Sequence, residues 1–419
     1  MKKYDVVVAG GGLSGVAAAV SAAKQGAKVL IVEQYGFLGG MACSALVNPF
    51  MSYRINTARW EEKKSAAMVN SGIFEDILKG LKQKNGLHKD ERIFNEEILK
   101  IVLDDLVTEN GIDVLFHSFL YQAEQKDGTI TSVSVVNKQG IQKLKADYFI
   151  DATGDADLSA MCGCGCRVGR EEDGLCSPMT LCFNIVNVDY DKVDPKEIQQ
   201  KYKEAQKNGK IKNPREDVLR FRHMADGVMH LNSTRVLGIT PMDAEGFSKA
   251  EMEGRKQMYE LFCFLKENCK GFENIELLMS GAQIGVRESR RIVGEYTLTA
   301  DDVLQAAKFD DSIARGNYPI DIHNPSGTGT YMKDVPFGDY YTIPYRCLQP
   351  VGMKNLLTAG RPISSTHEAH ASHRVMNICA CVGHGAGAAA GLAVRNQCSF
   401  GEVDIKELHR VLDQQGGLY

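Results

Sequence analysis

The sequence predicts an α/β protein that begins with a parallel βαβ unit. Residues 4–9 are a β-branched, apolar run typical of a buried strand. A glycine-rich turn follows and leads into an alanine-rich stretch at residues 16–25 that favours a helix. Residues 27–32 form a second apolar run, which ends at Glu33. Because strands joined by a crossover helix pair in parallel, these observations predict the start of a Rossmann-type sheet.

The composition is typical of a globular protein. The chain has 419 residues, of which 44% are hydrophobic and 24% charged, and this length favours two domains. The net charge of −4 disfavours nucleic acid as a partner. No apolar run is expected to reach the roughly 20 residues that span a bilayer, so we expect no membrane partner. Twelve scattered cysteines indicate reduced thiols and a cytoplasmic location.

The glycine-rich turn has the spacing of a dinucleotide-binding fingerprint. Gly10 makes the turn, Gly12 lets the backbone approach a pyrophosphate, and Gly15 lets the helix pack closely on the strand. The helix N-terminus presents free N–H groups to the phosphates. Glu33 follows about twenty residues later, where it can accept hydrogen bonds from a ribose. A glycine-rich turn without a ligand is the alternative, and the fingerprint alone does not separate NAD from FAD.

Three further segments extend this pattern. Residues 34–42 form a loop with a Gly-Gly pair, which a unit that binds only NAD does not need. Residues 145–155 are predicted as a strand ending in Ala-Thr-Gly, and residues 354–361 as a strand ending in Gly-Arg. A helix of small residues at 374–391 comes next. Its N-terminal half-charge can stabilise negative charge on a nearby ring, although tight core packing explains its composition equally well.

In this order, the segments resemble the FAD-dependent oxidoreductases related to glutathione reductase and fumarate reductase. The resemblance covers nearly the whole chain, since residues 285–291, 321–323 and 341–346 are also similar to motifs of that family. It implies FAD as the cofactor, in a discontinuous Rossmann-type FAD-binding domain with an inserted α+β substrate domain. The residues expected at FAD are Gly10, Gly12, Leu13, Ser14, Gly15, Glu33, Gln34, Gly39, Gly40, Met41, Ala42, Ala152, Thr153, Gly154, Gly360, Arg361, Gly383 and Ala386.

The middle of the chain departs from the strand-helix alternation. We expect the FAD-binding domain at residues 1–180 and 341–419, the second part including a C-terminal helix, and the substrate domain at 181–340. This middle part has more charge and two helical stretches, at residues 196–202 and 249–260. It contains no second complete strand-glycine-helix unit, so we expect no separate NAD(P)H-binding domain.

Arg287, Arg290 and Arg291 form a dense cationic group. Guanidinium groups bind carboxylates and phosphates in a bidentate manner, so Arg287 is a candidate for holding a substrate carboxylate. An interdomain ion-pair cluster with Glu288 and Glu295 is an equally good interpretation.

Two histidines are candidates for acid/base catalysis. Strand alternation places Asp321 and His323 on one face, where the carboxylate can raise the pKa of the imidazole. His373, just before the small-residue helix, is the second candidate. It also falls at helical spacing with His367 and His370, for which a cluster near the flavin or at an interface is favoured over a metal site.

The cysteines offer a further redox hypothesis. Cys162, Cys164 and Cys166 alternate with glycines, and cysteines packed at a turn are favoured over a metal or redox cluster, because zinc and iron–sulfur sites use wider spacing. Cys43 lies just past the Gly-Gly loop, and there too a core residue is favoured over a flavin link. No metal is expected.

These features predict an enzyme that transfers a hydride between a small-molecule substrate and flavin N5. An electron-transfer subunit that works with a protein partner is the alternative, and an FAD-containing binding module is a third class. The substrate, the electron acceptor, covalent attachment of FAD and the oligomeric state are left open by the sequence.

Overall fold

A computed structural model describes residues 3–59, 61–63 and 66–419. In chain order, the strands among these residues are β1 (Tyr4–Ala9), β2 (Val29–Val32), β3 (Asn56–Ala58), β4 (Glu61–Glu62), β5 (Asp113–Leu115), β6 (Phe119–Lys126), β7 (Thr129–Asn137), β8 (Gly140–Leu144), β9 (Ala146–Asp151), β10 (Cys166–Val168), β11 (Phe183–Val186), β12 (Arg220–Arg222), β13 (Met229–Leu231), β14 (Glu276–Ser280), β15 (Arg290–Ile292), β16 (Ser312–Gly316), β17 (Ile320–His323), β18 (Thr330–Lys333), β19 (Tyr341–Pro344) and β20 (Leu356–Thr358). The helices are α1 (Leu13–Ala23), α2 (Met41–Ser44), α3 (Ile73–Gln83), α4 (Glu96–Glu109), α5 (Asp157–Met161), α6 (Pro195–Lys207), α7 (Ala244–Asn268), α8 (Ala300–Leu304), α9 (His367–His373), α10 (Met376–Asn396) and α11 (Ile405–Gln414).

A five-stranded parallel sheet forms the centre of the first domain. Its order is β20-β9-β1-β2-β5, and all four neighbouring pairs are parallel. The predicted strands around residues 4–9, 27–32 and 145–151 all belong to it. Because β20 comes from residues 356–358 and pairs with β9, the sheet is assembled from two distant parts of the chain. This confirms a discontinuous Rossmann-type α/β fold.

Helices α1 and α10 pack together unusually closely. A Cβ atom at Gly383 would lie 2.0 Å from the carbonyl oxygen of Ser14, and one at Gly387 would lie 2.0 Å from that of Ala18. The small residues of α10 therefore allow backbone contact with α1. Contrary to the expectation from sequence, α10 is long and apolar enough to span a membrane, but 94% of its apolar window is buried inside the protein.

A second layer of structure is inserted between β9 and β20. It contains the antiparallel sheet β12-β13-β11-β14, against which α7 packs its apolar side. The predicted helical stretches at residues 196–202 and 249–260 are confirmed, since they lie within α6 and α7. From Leu298 onward, buried side chains again belong to the core around the parallel sheet. The ranges 1–180, 181–340 and 341–419 stay a proposal for the domain boundaries.

Candidate cofactor and substrate site

A cleft of about 770 Å³ opens at the carboxyl ends of the parallel strands. This edge of an α/β sheet is where such folds bind ligands. The cleft is lined by Gly10, Gly12, Leu13, Ser14, Val32, Glu33, Gln34, Tyr35, Gly39, Gly40, Met41, Ala42, Ser118, Phe119, Leu120, Ala152, Thr153, Gly154, Asp155, Asp157, Met161, Pro241, Phe247, Glu251, Ala282, Gln283, Ala359, Gly360, Arg361, Arg374, Met376 and Cys379. All the cofactor residues expected from sequence lie on this wall except Gly15, Gly383 and Ala386.

The three fingerprint glycines have different surroundings. A Cβ atom at Gly10 would lie 2.4 Å from the carbonyl oxygen of Ala152, and one at Gly15 would lie 1.9 Å from that of Gly10. At Gly12 the nearest atom to an added Cβ is the Cα of Gly40, at 3.7 Å. Packing within the protein therefore requires glycine at positions 10 and 15, while position 12 has room for a side chain that would project toward the cleft.

The N-terminus of α1 faces the cleft. Gly12 is the N-cap residue and no side chain caps the helix, so the amide groups of the first turn are available to a ligand. The hydroxyl of Ser14 is buried, lines the cleft and has no hydrogen-bond partner. An anion at this position would accept hydrogen bonds from these groups and would be stabilised by the partial positive charge at the helix N-terminus.

Glu33 is held rigidly at the wall of the cleft. Its Oε2 accepts a hydrogen bond from the Gly11 amide at 2.6 Å, and its Oε1 accepts one from the Tyr35 amide at 2.8 Å. Burial raises the pKa of Glu33 and outweighs the backbone hydrogen bonds, which lower it. A carboxylate has about four acceptor sites, so Glu33 can accept a further hydrogen bond from a hydroxyl group. Residues 118–120, at the start of β6, form the neighbouring wall and were missed by sequence reasoning.

The opposite wall is formed by the chain after β9 and β20. Arg361 pairs with Asp155 at 3.0 Å and packs over Gly154, whose φ is +84°. The helix α10 contributes Met376 and Cys379, from its first turn. Gly383 and Ala386 lie further along α10, where Gly383 packs against α1. The first turn of α10 is thus the part of the small-residue helix that lines the cleft, and its approach to the cofactor stays a prediction.

One arginine lines the cleft, and a second lies close to it outside the lining. Arg374 lines the cleft, its Nε is buried without a partner, and its Nη2 lies 3.7 Å from Asp321 Oδ2. Arg287 donates to the Pro178 carbonyl at 2.7 Å and to the hydroxyl of Thr180. Loss of hydration, and then repulsion by Arg374, lowers the pKa of Arg287 to about 9. Arg287 has no ion pair among the described residues, and the two guanidinium groups share the carboxylate of Asp321 as their nearby negative charge, so an anion at Arg374 would be favoured.

Asp321 anchors Arg374 from behind. It accepts a hydrogen bond from the Tyr318 hydroxyl at 3.0 Å, and its Oδ2 lies 3.5 Å from His323 Nε2. Burial favours a higher pKa for Asp321, but the contacts with His323 and Arg374 outweigh it, so the pKa lies well below the usual range. The expected pairing on one face of β17 is present.

His323 behaves differently from the expectation. Its pKa is lowered to about 3, because burial and then the charge of Arg287 outweigh the effect of Asp321. Its Nδ1 lies 3.2 Å from Arg235 Nη2 and 3.3 Å from the hydroxyl of Thr330. Asp321 favours a higher pKa of this imidazole, as expected, but the net shift is downward because of burial, which is not visible in the sequence. His323 is not among the residues that line the cleft.

The comparison with known families decides the identity of this fold and cleft. A family described as FAD dependent oxidoreductase matches residues 5–412. The chain belongs to the FAD-dependent oxidoreductase family. It is an enzyme, and its cofactor is FAD. Its resemblance to this family, predicted from the glycine-rich segments, is confirmed.

Individual relatives of this flavoenzyme are distant. It is 33% identical over 123 residues to an NADH:fumarate oxidoreductase of Klebsiella pneumoniae (strain 342), a match that covers 27% of the chain and 13% of that relative. A geranylgeranyl bacteriochlorophyll reductase-like protein of Thermoplasma acidophilum aligns over 99% of the chain and 83% of its own, at 14% identity and a TM-score of 0.48. A p-nitrophenol 4-monooxygenase of Pseudomonas putida DLL-E4 aligns over 99% and 84%, at 12% identity and a TM-score of 0.48.

The residues around the cleft fit FAD. The first turn of α1 and the unpartnered hydroxyl of Ser14 suit the pyrophosphate, and the space beside Gly12 lets it approach the backbone. Glu33 suits the ribose. We propose that the predicted residues on the wall of the cleft hold FAD, and that Gly15, Gly383 and Ala386 support it through packing.

The histidines of α9 lie in the core of the flavoenzyme. His367 Nδ1 lies 2.8 Å from Glu288 Oε1, and the same carboxylate is bonded to Arg291. His373 Nε2 lies 2.9 Å from the hydroxyl of Ser365. Burial lowers the pKa of His373 to about 3, helped by Arg291. The ion-pair interpretation thus describes Arg291, whereas Arg287 has no ion pair among the described residues.

The cysteines make no disulfide and no metal cluster among the described residues. Burial is the main cause that raises the pKa of Cys162 and of Cys164 to about 12, which makes both thiols poor nucleophiles. Cys43 is buried, and its thiol donates to the Glu96 carbonyl at 3.7 Å. All twelve cysteines are free thiols in the structure.

Proposed function

We propose that this flavoenzyme transfers a hydride between a small organic anion and N5 of the flavin. FAD, when bound, supplies the hydride chemistry. The protein orients the substrate and places positive charge beside it. The single observation that supports this proposal most is Arg374, which lines the cleft with a buried, unpartnered Nε and has the unpaired Arg287 close to it.

Arg374 lies on the cleft wall and is the arginine that can touch a substrate. Arg287 lies behind it, and its hydrogen bonds go to neutral oxygens: the Pro178 carbonyl, the Thr180 hydroxyl and, at 3.4 Å, the side-chain oxygen of Asn232. A carboxylate at Arg374 would receive charge-assisted hydrogen bonds, and the positive charge of Arg287 close to Arg374 would add to its attraction. This supports the expectation that Arg287 helps to hold a substrate carboxylate.

The three side chains behind Arg374 have a positioning role in this proposal. Asp321 fixes the guanidinium of Arg374, and Tyr318 and His323 fix Asp321. The Nε2 of His323 faces Asp321, and its Nδ1 faces Arg235 and Thr330. In this arrangement His323 is a neutral ring that orients these neighbouring side chains. Direct proton transfer by His323 is a prediction that the experiments below test, and proton transfer by His373 stays a prediction. No feature of the described residues favours the electron-transfer alternative.

The test is a set of matched carboxylates and neutral analogues. Protein loaded with FAD is mixed anaerobically with carboxylic acids and with the corresponding amides or methyl esters, and the flavin absorbance is followed. A second series starts from reduced flavin, so that both directions of hydride transfer are tested. We expect the rates to saturate with carboxylates and to be at least tenfold lower with the neutral partners. Equal rates for acids and amides would contradict an anionic substrate.

A matched variant keeps the test specific. Arg346 is an exposed arginine outside the cleft, paired with Asp311 at 2.9 Å. In Arg346→Ala, the preference for carboxylates should be unchanged. If both Arg346→Ala and Arg287→Ala lose the preference for carboxylates, the net charge of the protein and not a defined site determines that preference.

A further inference from the structure

Arg235 lies behind the proposed substrate end of the cleft, in the inserted layer. It is buried, follows shortly after β13 and is not among the residues that line the cleft. The side-chain amide of Gln257, on α7, holds its backbone on both sides. Gln257 Oε1 accepts a hydrogen bond from the Arg235 amide at 2.8 Å, and Gln257 Nε2 donates to the Arg235 carbonyl at 3.1 Å. The backbone of this arginine is therefore fixed on the inserted layer.

The guanidinium of Arg235 reaches the hairpin formed by β17 and β18. Its Nη1 donates to the carbonyl oxygens of Gly327 and Gly329, both at 3.2 Å. Its Nη2 donates to Nδ1 of His323 at 3.2 Å. Glu216, also from the inserted layer, balances the charge, with Oε2 3.0 Å from Nη1 and Oε1 3.2 Å from Nη2. One ion-paired guanidinium thus ties the hairpin that carries His323 to the inserted layer.

His323 lies between a cation and an anion. Its Nδ1 faces the guanidinium of Arg235, and its Nε2 faces Oδ2 of the ionised Asp321 at 3.5 Å. A guanidinium has only donors and an ionised carboxylate only acceptors, so both neighbours favour a lone pair on Nδ1 and a proton on Nε2. The hydroxyl of Thr330, 3.3 Å from Nδ1, is both donor and acceptor and is compatible with either tautomer. Arg235 and Asp321 therefore favour one and the same tautomer of His323.

We propose that Arg235 is a positioning residue for the substrate end of the cleft, because it sets the tautomer of His323 that donates toward Asp321. Asp321 in turn anchors Arg374, so a side chain of the inserted layer acts on the cleft through two intermediates. With the proton on Nδ1 instead, the lone pair of Nε2 would face the carboxylate of Asp321 and repel it. This role rests on the proposed function, in which Arg374 binds the anionic substrate.

The first test determines the tautomer without any substrate. Protein with isotope-labelled histidines is loaded with FAD and studied near pH 7 by NMR, in which the correlations between ring protons and ring nitrogens distinguish the two neutral tautomers. The signal of His323 is identified by its absence from His323→Gln. The wild type is expected to carry the proton of His323 on Nε2. A proton on Nδ1 in the wild type would overturn the proposal, and this result requires no variant of Arg235.

The second test removes the donor. Arg235→Met keeps a similar volume, and the proton of His323 should then be shared between both nitrogens, because the Thr330 hydroxyl and the no longer neutralised Glu216 can attract it to Nδ1. KM for the anionic substrate should rise by about two- to tenfold, as expected for the loss of one hydrogen bond, and kcat should change less than KM. Flavin content and Tm verify that the variant is folded.

Two further variants keep this test specific. Arg235→Lys retains the positive charge, so its tautomer and its KM should both lie closer to the wild type than those of Arg235→Met. Thr330→Val is the matched control: it removes the other neighbour of Nδ1 and leaves Arg235 in place, so the tautomer and KM should be unchanged.

The outcomes separate this proposal from the proposed function. An unchanged tautomer in Arg235→Met, or a changed tautomer with an unchanged KM, would overturn the positioning role of Arg235. A wild type that reacts equally well with carboxylates and amides would contradict the anionic substrate instead. In that case the NMR spectra recorded without substrate would still decide whether Arg235 sets the tautomer of His323.

Discussion

The two ends of the FAD cleft are built in different ways. At the end proposed for the pyrophosphate, the shape is set by backbone atoms and glycines within the first 40 residues, such as Gly10 and Gly15. At the end proposed for the substrate, the chemistry is set by charged side chains from three distant segments: Arg287, Asp321 and Arg374. A site made of backbone is local in the sequence, while a site made of buried charge exists only after distant segments have packed. The variants below test this difference.

The largest expected effect separates two neighbouring glycines. In Gly15→Val the new side chain would collide with the carbonyl oxygen of Gly10, only 1.9 Å from the Cβ position, so the protein should lose about 3 kcal/mol or more of stability. In Gly12→Val the Cβ has space in the protein, with its nearest neighbour at 3.7 Å. The fold should persist, but FAD affinity should fall by about 3 kcal/mol or more, which is over a hundredfold.

Thermal unfolding of the apo and FAD-loaded proteins distinguishes these two outcomes. Gly12→Val should unfold near the wild-type apo temperature and gain no stability from added FAD. Full FAD occupancy in Gly12→Val would contradict the placement of the pyrophosphate beside this residue.

The sequence predicts the first end of the cleft much better than the second. The glycine spacing and the strands around it predict the turn, the helix N-terminus and Glu33, because each depends on neighbours a few residues away. Gly383 was expected at FAD but packs on α1, since small residues serve close helix packing as well as ligand contact. Arg374 was missed, although it follows the candidate His373 directly, because only tertiary structure shows which of the two lines the cleft.

The arginine cluster shows why the second end is hard to predict. Arg287 and Arg291 are four residues apart in one segment, and the sequence does not distinguish an ion-paired guanidinium from a free one. In the structure Arg291 is neutralised by Glu288, whereas Arg287 has only neutral acceptors. The direction of the His323 pKa could not be predicted for the same reason, because the extent of burial depends on β18 and on Arg235.

The second prediction concerns Arg287. In Arg287→Ala, binding of the anionic substrate should weaken by about 2–5 kcal/mol, as is typical when one partner of a buried charge pair is removed. FAD affinity should be unchanged, because none of the hydrogen bonds of Arg287 goes to a residue proposed to hold FAD. Both affinities can be measured from changes in the flavin spectrum. Arg287→Lys, which keeps the charge but not the fork of donors, should recover part of the loss.

An equal loss of FAD and substrate affinity in Arg287→Ala would contradict the division of the cleft into two ends. It would assign Arg287 to the structural support of the whole site.

The third prediction concerns Glu33, at the first end. Glu33→Ala should weaken FAD binding by about 1–3 kcal/mol, since it removes the ribose acceptor and leaves the Gly11 amide without its partner. Glu33→Gln keeps an acceptor and the volume of the side chain, so it should lose less. Equilibrium titration of the apoprotein with FAD measures both values. Unchanged FAD affinity in Glu33→Ala would show that the ribose lies elsewhere.

The smallest expected effect concerns His323. Because its pKa is lowered to about 3, the imidazole ring of His323 is neutral near pH 7. A neutral ring cannot act as a general acid in the way that an imidazolium can. It also contacts Asp321, which in turn anchors Arg374, so its removal should act mainly through the position of that guanidinium. We therefore expect His323→Ala to raise KM for the anionic substrate by less than about tenfold and to change kcat less than KM, whereas general acid–base catalysis contributes about 10²–10⁴-fold.

The pH profile provides the second readout for His323. A folded-state pKa near 3 lies below the usual value, so its protonation occurs only as the pH falls far below 6.5, and the rate between about pH 5 and 8 should show no titration that disappears in His323→Ala. His323→Gln, which can still donate to Asp321, should restore most of KM. A loss of about a hundredfold or more in kcat, together with the disappearance of a titration near pH 6.5, would instead assign proton transfer to His323 and extend the catalytic chemistry beyond the arginine pair.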